Sequence, residues 1–295
     1  MPLIRPDVLV LAAGGVVGEA WMTGVLRGLT ESTGIDFRTV ETLVGTSAGS
    51  IMAASLAAGR EPRSPGRISR HQAERTAEPS RSRLRTIAKG AAAATAPLAP
   101  LALAAGAPGG ALARRTVLAR VPRGRRSLGQ LRTEVDSWGA RFDGRLRICT
   151  VDLASGRRVV FGAPGAPNAT VAEAVEASCA VPGVFRPVDI GGTTYVDGGA
   201  WSLTNLDVAP VGREAHVLVL SVAGGRPGAS AAGVLRAAAR SAVAVEAAAV
   251  RARGAHVKTI GPDARAAGSF GANLLDPRAA KPALEAGYRQ GLAMA

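Results

Sequence analysis

The sequence predicts a layered α/β fold with a mainly parallel central sheet. Short continuous apolar runs, the mark of strands buried on both faces, alternate with longer stretches of helical spacing. Glycine-rich turns separate the two kinds of segment. Apolar residues make up 47% of the chain and aromatics only 3%, so the core must be built from Ala, Val and Leu.

The elements follow in order. Val8 to Leu11 is an uninterrupted apolar run and reads as a first strand, ending at Gly14, Gly15 and Gly18. Trp21, Val25, Leu26 and Leu29 recur at helical spacing, which predicts a helix from about Glu19 to Leu29. Leu43-Val44 is a short second strand that runs into Gly45-Thr46-Ser47-Ala48-Gly49 and an Ala-rich helix. Leu146 to Leu153 alternates like a strand, and a turn at Ser155-Gly156 leads into Arg158 to Phe161. Thr170 with Glu173 three residues later forms a capping-box pattern, opening a helix through about Cys179. Val188 to Ile190 and Thr193 to Val196 read as a hairpin that ends at Asp197-Gly198-Gly199. His216 to Ser221 is a further strand, about Ala231 to Arg253 a long helix, and His256 to Ile260 the last strand. A helix from about Pro277 to Leu292 closes the chain.

A length of 295 residues suits one large domain, and no internal repeat is present. Within it, residues 61–127 change character: Pro, Arg, Ala and Ser dominate and periodicity fades. Between Glu61 and Arg126, thirteen Arg and one Lys face three Glu, so this stretch holds most of the net charge of +14. Such a segment attracts polyanions, and it reads as a cap or interfacial segment meeting an anionic membrane. Nucleic acid is not the expected partner, because no aromatic residue interleaves the arginines. Ala91 to Ala113 carries no charge but too many Pro, Gly and Ala residues for a spanning helix. No secretory signal is evident, and Val8 to Ala13 is too short to span a bilayer. The expectation is a cytoplasmic protein, peripheral at most. Cys149 and Cys179 match neither a disulfide framework nor a metal spacing and read as reduced thiols; no metal or cofactor is expected.

Three motifs carry chemistry. Gly45-Thr46-Ser47-Ala48-Gly49 fits a nucleophile elbow, in which a serine on a sharp strand-to-helix turn is held out by small neighbours. The helix behind it adds the positive end of its dipole. Ala13-Gly14-Gly15-Val16-Val17-Gly18 can bend so that several N–H groups converge, which suits an oxyanion hole or a phosphate. As a dinucleotide fingerprint it has Ala13 in place of a glycine, with Asp36 as the downstream acid, so a nucleotide-binding module is one alternative. Asp197-Gly198-Gly199 supplies a carboxylate at a strand end, able to act as the base a serine needs. A conventional Ser-Asp-His esterase is the other alternative, with His216 or His256 as the base; His71 has no partner in view. One strand ahead of the elbow is too few for the usual α/β-hydrolase order.

The three motifs in this order resemble the patatin-like phospholipases. The stretch Ala177 to Pro187, Val151-Asp152-Leu153 and Gly156-Arg157 resemble the same family, as does Asn205, to which no role is given. The resemblance covers roughly residues 6 to 60 and 128 to 292. It implies an α/β/α fold and a lipid acyl hydrolase without cofactor, whose substrate is a phospholipid or other acyl ester. It places a Ser–Asp dyad at Ser47 and Asp197 and an oxyanion hole at Gly14, Gly15 and Val16. Gly18, Gly45, Gly49, Gly198 and Gly199 would support these motifs. Ala13 departs from the usual first glycine and Val17 from a usual basic residue, which puts loop anchoring or anionic head-group preference in question. A carboxylate serves as base only if burial raises its pKa, so Asp197 is expected to be desolvated.

Overall fold

In a computed structural model, residues 3–65, 110–223, 231–271 and 273–294 are described. The strands are β1 (Val8–Leu11), β2 (Thr42–Thr46), β3 (Leu146–Asp152), β4 (Arg158–Phe161), β5 (Val188–Ile190), β6 (Thr193–Asp197), β7 (His216–Leu220) and β8 (His256–Ile260). They form one sheet with the order β5-β6-β3-β2-β1-β7-β8, and β4 also pairs with β3. The pairs β3–β2, β2–β1, β1–β7 and β7–β8 are parallel; β3–β4, β3–β6 and β5–β6 are antiparallel. The expected mainly parallel sheet is therefore present, with an antiparallel wing beyond β3.

The helices are α1 (Gly15–Thr33), α2 (Ala48–Ala57), α3 (Gly110–Arg120), α4 (Gly129–Asp136), α5 (Val171–Ser178), α6 (Ala231–Ala252), α7 (Ala264–Ser269) and α8 (Ala280–Leu292). Alternation along the strands divides the core. Leu9, Leu11, Leu43, Leu146, Ile148, Leu218 and Leu220 face α1, α2, α5 and α8. Val8, Val10, Val44, Cys149, Val217 and Val219 face the opposite way, with Ala247 and Val250 of α6. Leu118 of α3 packs on Val151 and Val196. Two helical layers thus sandwich the sheet, as residues two apart on a strand share a face.

Three helices were not expected. In α3 only Arg114 and Leu118 are buried, in α4 only Val135, and in α7 only Ala266. One or two buried positions leave no hydrophobic stripe to read. Conversely, α1 runs four residues beyond each end of the expected helix, and Gly34 at φ +74° closes it. The capping box of Thr170 and Glu173 is formed as expected, with both reciprocal hydrogen bonds. Most of the expected cap, residues 66–109, lies outside the described residues, as does His71. Among the described residues no helix is long and apolar enough to cross a membrane.

Helices α1 and α8 meet backbone to backbone. Gly24 and Gly28 face Leu284 and Tyr288, while Gly287 and Gly291 face Trp21 and Val25. The fully buried Trp21 seals the contact, donating its Nε1–H to Gln290 Oε1 at 3.0 Å and meeting Phe270 edge-on at 6.2 Å. A Cβ on Gly287 would lie 2.2 Å from Trp21 O. Alanine gains up to about 1 kcal/mol of helix propensity over glycine. Forcing two backbones apart costs typically about 1–3 kcal/mol, occasionally more. At a 2.2 Å approach to backbone the clash should win. Gly287→Ala is therefore expected to lower the melting temperature by several degrees in a calorimetric scan; an unchanged or raised value would show that the interface is looser than described.

Candidate active site

Sheet register brings the first and third motifs together. On β3, Thr46 is opposite Cys149 and Asp197 is opposite the next residue, Thr150. The ends of β2 and β6 thus arrive at neighbouring positions, although Ser47 and Asp197 are far apart in sequence. Ser47 follows at once and turns the chain into α2. Its backbone takes φ 53° and ψ −122°, a conformation that non-glycine residues rarely adopt. Such a residue stores of order 1–3 kcal/mol and persists only where its surroundings hold it.

Several contacts hold it. The Ser47 N–H donates to Ser178 Oγ at 2.9 Å, and the Ser178 hydroxyl donates to Cys149 O at 2.7 Å. Ser47 O accepts from the Ser50 N–H at 2.8 Å and from Ser50 Oγ at 2.6 Å. The close approach of α2 to β1 requires Gly49, where a Cβ would stand 1.9 Å from Leu11 O. Gly45 plays the matching part against Ser50, and Gly198 against Cys149 O.

Asp197 is 1% exposed and accepts the Gly199 N–H on Oδ1 at 2.7 Å. Burial pushes its carboxyl up to about 7, against the lowering by hydrogen bonds from the Ser47 side chain and the Gly199 N–H. Cys149 and Cys179 are both free and buried; burial raises both thiols, Cys149 to about 12. They are poor nucleophiles there.

The glycine loop closes the arrangement. A side chain on Gly199 would begin 3.5 Å from the Ala13 methyl, so the loop and the Asp197 turn are neighbours. The Ala13 N–H donates to Leu203 O, the Val17 N–H to Leu274 O and the Gly18 N–H to Gly14 O. The N–H groups of Gly14, Gly15 and Val16 have no acceptor among the described residues. These three lie at the positive end of α1. Gly15, at φ +59°, must be glycine, since a Cβ would also stand 2.6 Å from Leu274 O. Val16 is 38% exposed, whereas Val17 is fully buried in the core. Position 17, where the resemblance led to the expectation of a basic residue, faces the core here. Ala13 packs on Leu203, Ala223 and Ala239.

The two described histidines are elsewhere. His216 and His256 stack at 5.1 Å at the N-terminal ends of β7 and β8, whereas Ser47 follows the C-terminal end of β2. Both pair with surface carboxylates, His216 with Asp7 and His256 with Glu214. Neither reaches the serine, so the Ser-Asp-His alternative has no partner among the described histidines.

Sequence reasoning gave no role to Ser178, Asn205 or Arg114. Arg114 of α3 is 5% exposed, donates its Nε–H to Ala200 O at 2.9 Å, and lies 3.9 Å over the Trp201 ring. It ties the described end of the basic segment to the turn after Asp197. Arg158 lies over the same ring at 5.2 Å.

The profile of the patatin-like phospholipases matches residues 9–210, which contain the glycine loop, the elbow and the Asp197 turn. The chain belongs to the patatin-like phospholipase family. At the level of that family it is a lipid acyl hydrolase. Two solved structures are similar over 99% of this chain. VipD from Legionella pneumophila is 14% identical, with a TM-score of 0.48, and 67% of it is covered. The other structure is the heterodimeric ExoU–SpcU complex from the type III secretion system of Pseudomonas aeruginosa. There the matching chain is 19% identical, with a TM-score of 0.43, and the present chain spans about half of it, 52%. No curated protein matches the sequence.

Proposed function

We propose that this patatin-like protein cleaves carboxylic ester bonds of lipids with Ser47 as nucleophile, Asp197 as base and the N–H groups of Gly14, Gly15 and Val16 as oxyanion hole. The meeting of the ends of β2 and β6 at adjacent residues of β3, which sets the Ser47 side chain close enough to the buried Asp197 carboxyl to lower its pKa, carries the reading. Asp197 takes the hydroxyl proton as Ser47 Oγ attacks the acyl carbon. The carbonyl π pair moves to oxygen, and the oxyanion meets open N–H donors at the start of α1, helped by the dipole of α2. Removing one such donor typically costs about 10²–10³ in rate. The tetrahedral species collapses, the alcohol leaves with the proton from Asp197, and an acyl-Ser47 ester remains. Water then attacks with Asp197 again as base, releasing the acid and restoring the serine hydroxyl.

The partner surface follows from residues 61–127, which we read as a cap on this single domain that meets an anionic bilayer. Its described helix exposes Leu112 (71%) and Val117 (43%) beside Arg115 and Arg120, a mixture suited to a lipid headgroup region. A fluorophosphonate should label the protein on Ser47, as read by peptide mass. The enzyme should hydrolyse phospholipid faster on anionic than on zwitterionic vesicles. Labelling elsewhere would remove the nucleophile assignment, and equal rates on both vesicle types would remove the interfacial one.

A further inference from the structure

Asn205 is fully buried and occupies the left-handed region at φ 49°, which asparagine tolerates better than most residues. Its side chain joins three segments. Nδ2 donates to Thr46 Oγ1 at 3.0 Å and to Ser202 O at 2.7 Å, with Gly198 O at 3.4 Å. Thr46 immediately precedes Ser47, and Gly198 immediately follows Asp197. Oδ1 accepts from Arg158 Nη1 at 3.1 Å, which fixes the orientation of the amide. Arg158 is in turn held by both oxygens of Asp207, at 2.6 and 2.7 Å. Glu246 anchors the neighbouring chain by accepting from Thr204 Oγ1 and from the Leu206 N–H.

We propose that Asn205 is a positioning residue that sets the spacing of nucleophile and base, by tying the residue before Ser47 to the residue after Asp197. It touches neither substrate nor the reacting atoms; it acts through the two turns that carry them. The proposal rests on the Ser47–Asp197 reading above. Its physical basis is that no strand ladder joins β2 to β6 directly; each pairs with β3 instead. The amide supplies the missing link. A misplacement on the order of 1 Å between reacting groups can cost about 10²-fold.

The test is steady-state hydrolysis of a soluble short-chain aryl ester by the wild type, Asn205→Gly, Asn205→Asp, Thr46→Val and Ser47→Ala. Glycine keeps the left-handed backbone and removes only the amide. Asn205→Gly is expected to lower kcat by about 30–100-fold with KM within about twofold. The pH midpoint of kcat/KM should also move upward, because a loosened Ser47 hydrogen bond no longer lowers the Asp197 pKa. Asn205→Asp turns the donor into an acceptor facing Ser202 and Gly198 carbonyls and should lose at least as much. Thr46→Val keeps shape and removes one contact; it should shift both readouts the same way by less, and it decides the matter if the glycine variant does not fold. Wild-type kcat and midpoint in folded Asn205→Gly and Thr46→Val, with Ser47→Ala inactive, would overturn the clamp alone. A fall in kcat that tracks melting temperature, with the midpoint unmoved, would reduce Asn205 to a structural role. Wild-type rates in Ser47→Ala would remove the dyad and the clamp together.

Discussion

Ser47→Ala is expected to reduce acyl ester hydrolysis by about 10⁴-fold or more, leaving only what binding and the oxyanion donors provide. Deleting Oγ removes the proposed attacking atom, and among the described residues no other group is placed to replace it. The nearby Ser50 hydroxyl is committed to Ser47 O, and the Cys179 thiol is buried with its pKa raised. The alanine keeps the strained backbone, so the fold should survive with little change in stability. Ser47→Gly gives a useful contrast. It is equally inactive, but it relaxes a φ of 53° and should gain part of the roughly 1–3 kcal/mol stored there. Equal hydrolysis by wild type and Ser47→Ala, measured on the same ester, would end the assignment.

Asp197→Asn should separate activity from stability. Asparagine cannot take the serine proton, so a loss of about 10⁴ in kcat is expected. In the wild type, kcat/KM should rise with pH through about 7 and then level, as the carboxyl becomes the base. Stability should run the other way. The folded-state pKa of about 7 is above the ordinary 3.8, so the native state holds a proton that the unfolded chain has released. The stability linked to that proton is complete below about pH 4 and is lost as pH rises through about 7. The span corresponds to about 4 kcal/mol. A neutral asparagine escapes this loss. The variant should therefore be more stable than the wild type at pH 8, with the gap closing toward pH 4.5, in urea melts at the two values. A gap independent of pH would mean that Asp197 is not buried as a charge.

Much of this was legible in the sequence, for identifiable reasons. β1 and β7 are read closely because strands covered on both faces are continuous apolar runs. The α5 start is read because capping is local chemistry within four residues. Ser47 and Asp197 stand out as candidates because their flanking glycines answer to close approach, which leaves a short pattern. Ser178 and Asn205 leave none: their partners are 131 and 159 residues away. One clue existed, since Ser178 falls on the buried face of α5 with Ala174, Val175 and Ala177. A small polar residue among apolar ones needs a buried partner. The branching of β3 toward β2, β4 and β6, which makes the site, is a tertiary choice that no periodicity records.

The α1–α8 contact bears on where this protein can be cut. The family match stops at residue 210, yet the carbonyl that holds the Val17 N–H and abuts Gly15 belongs to Leu274. The helix packed into the glycine face of α1 begins at Ala280. A fragment ending at 210 would keep every proposed reacting group and lose the brace behind the glycine loop. It would also uncover the apolar flank around Trp21, so the matched segment leans on a C-terminal buttress that lies wholly outside it.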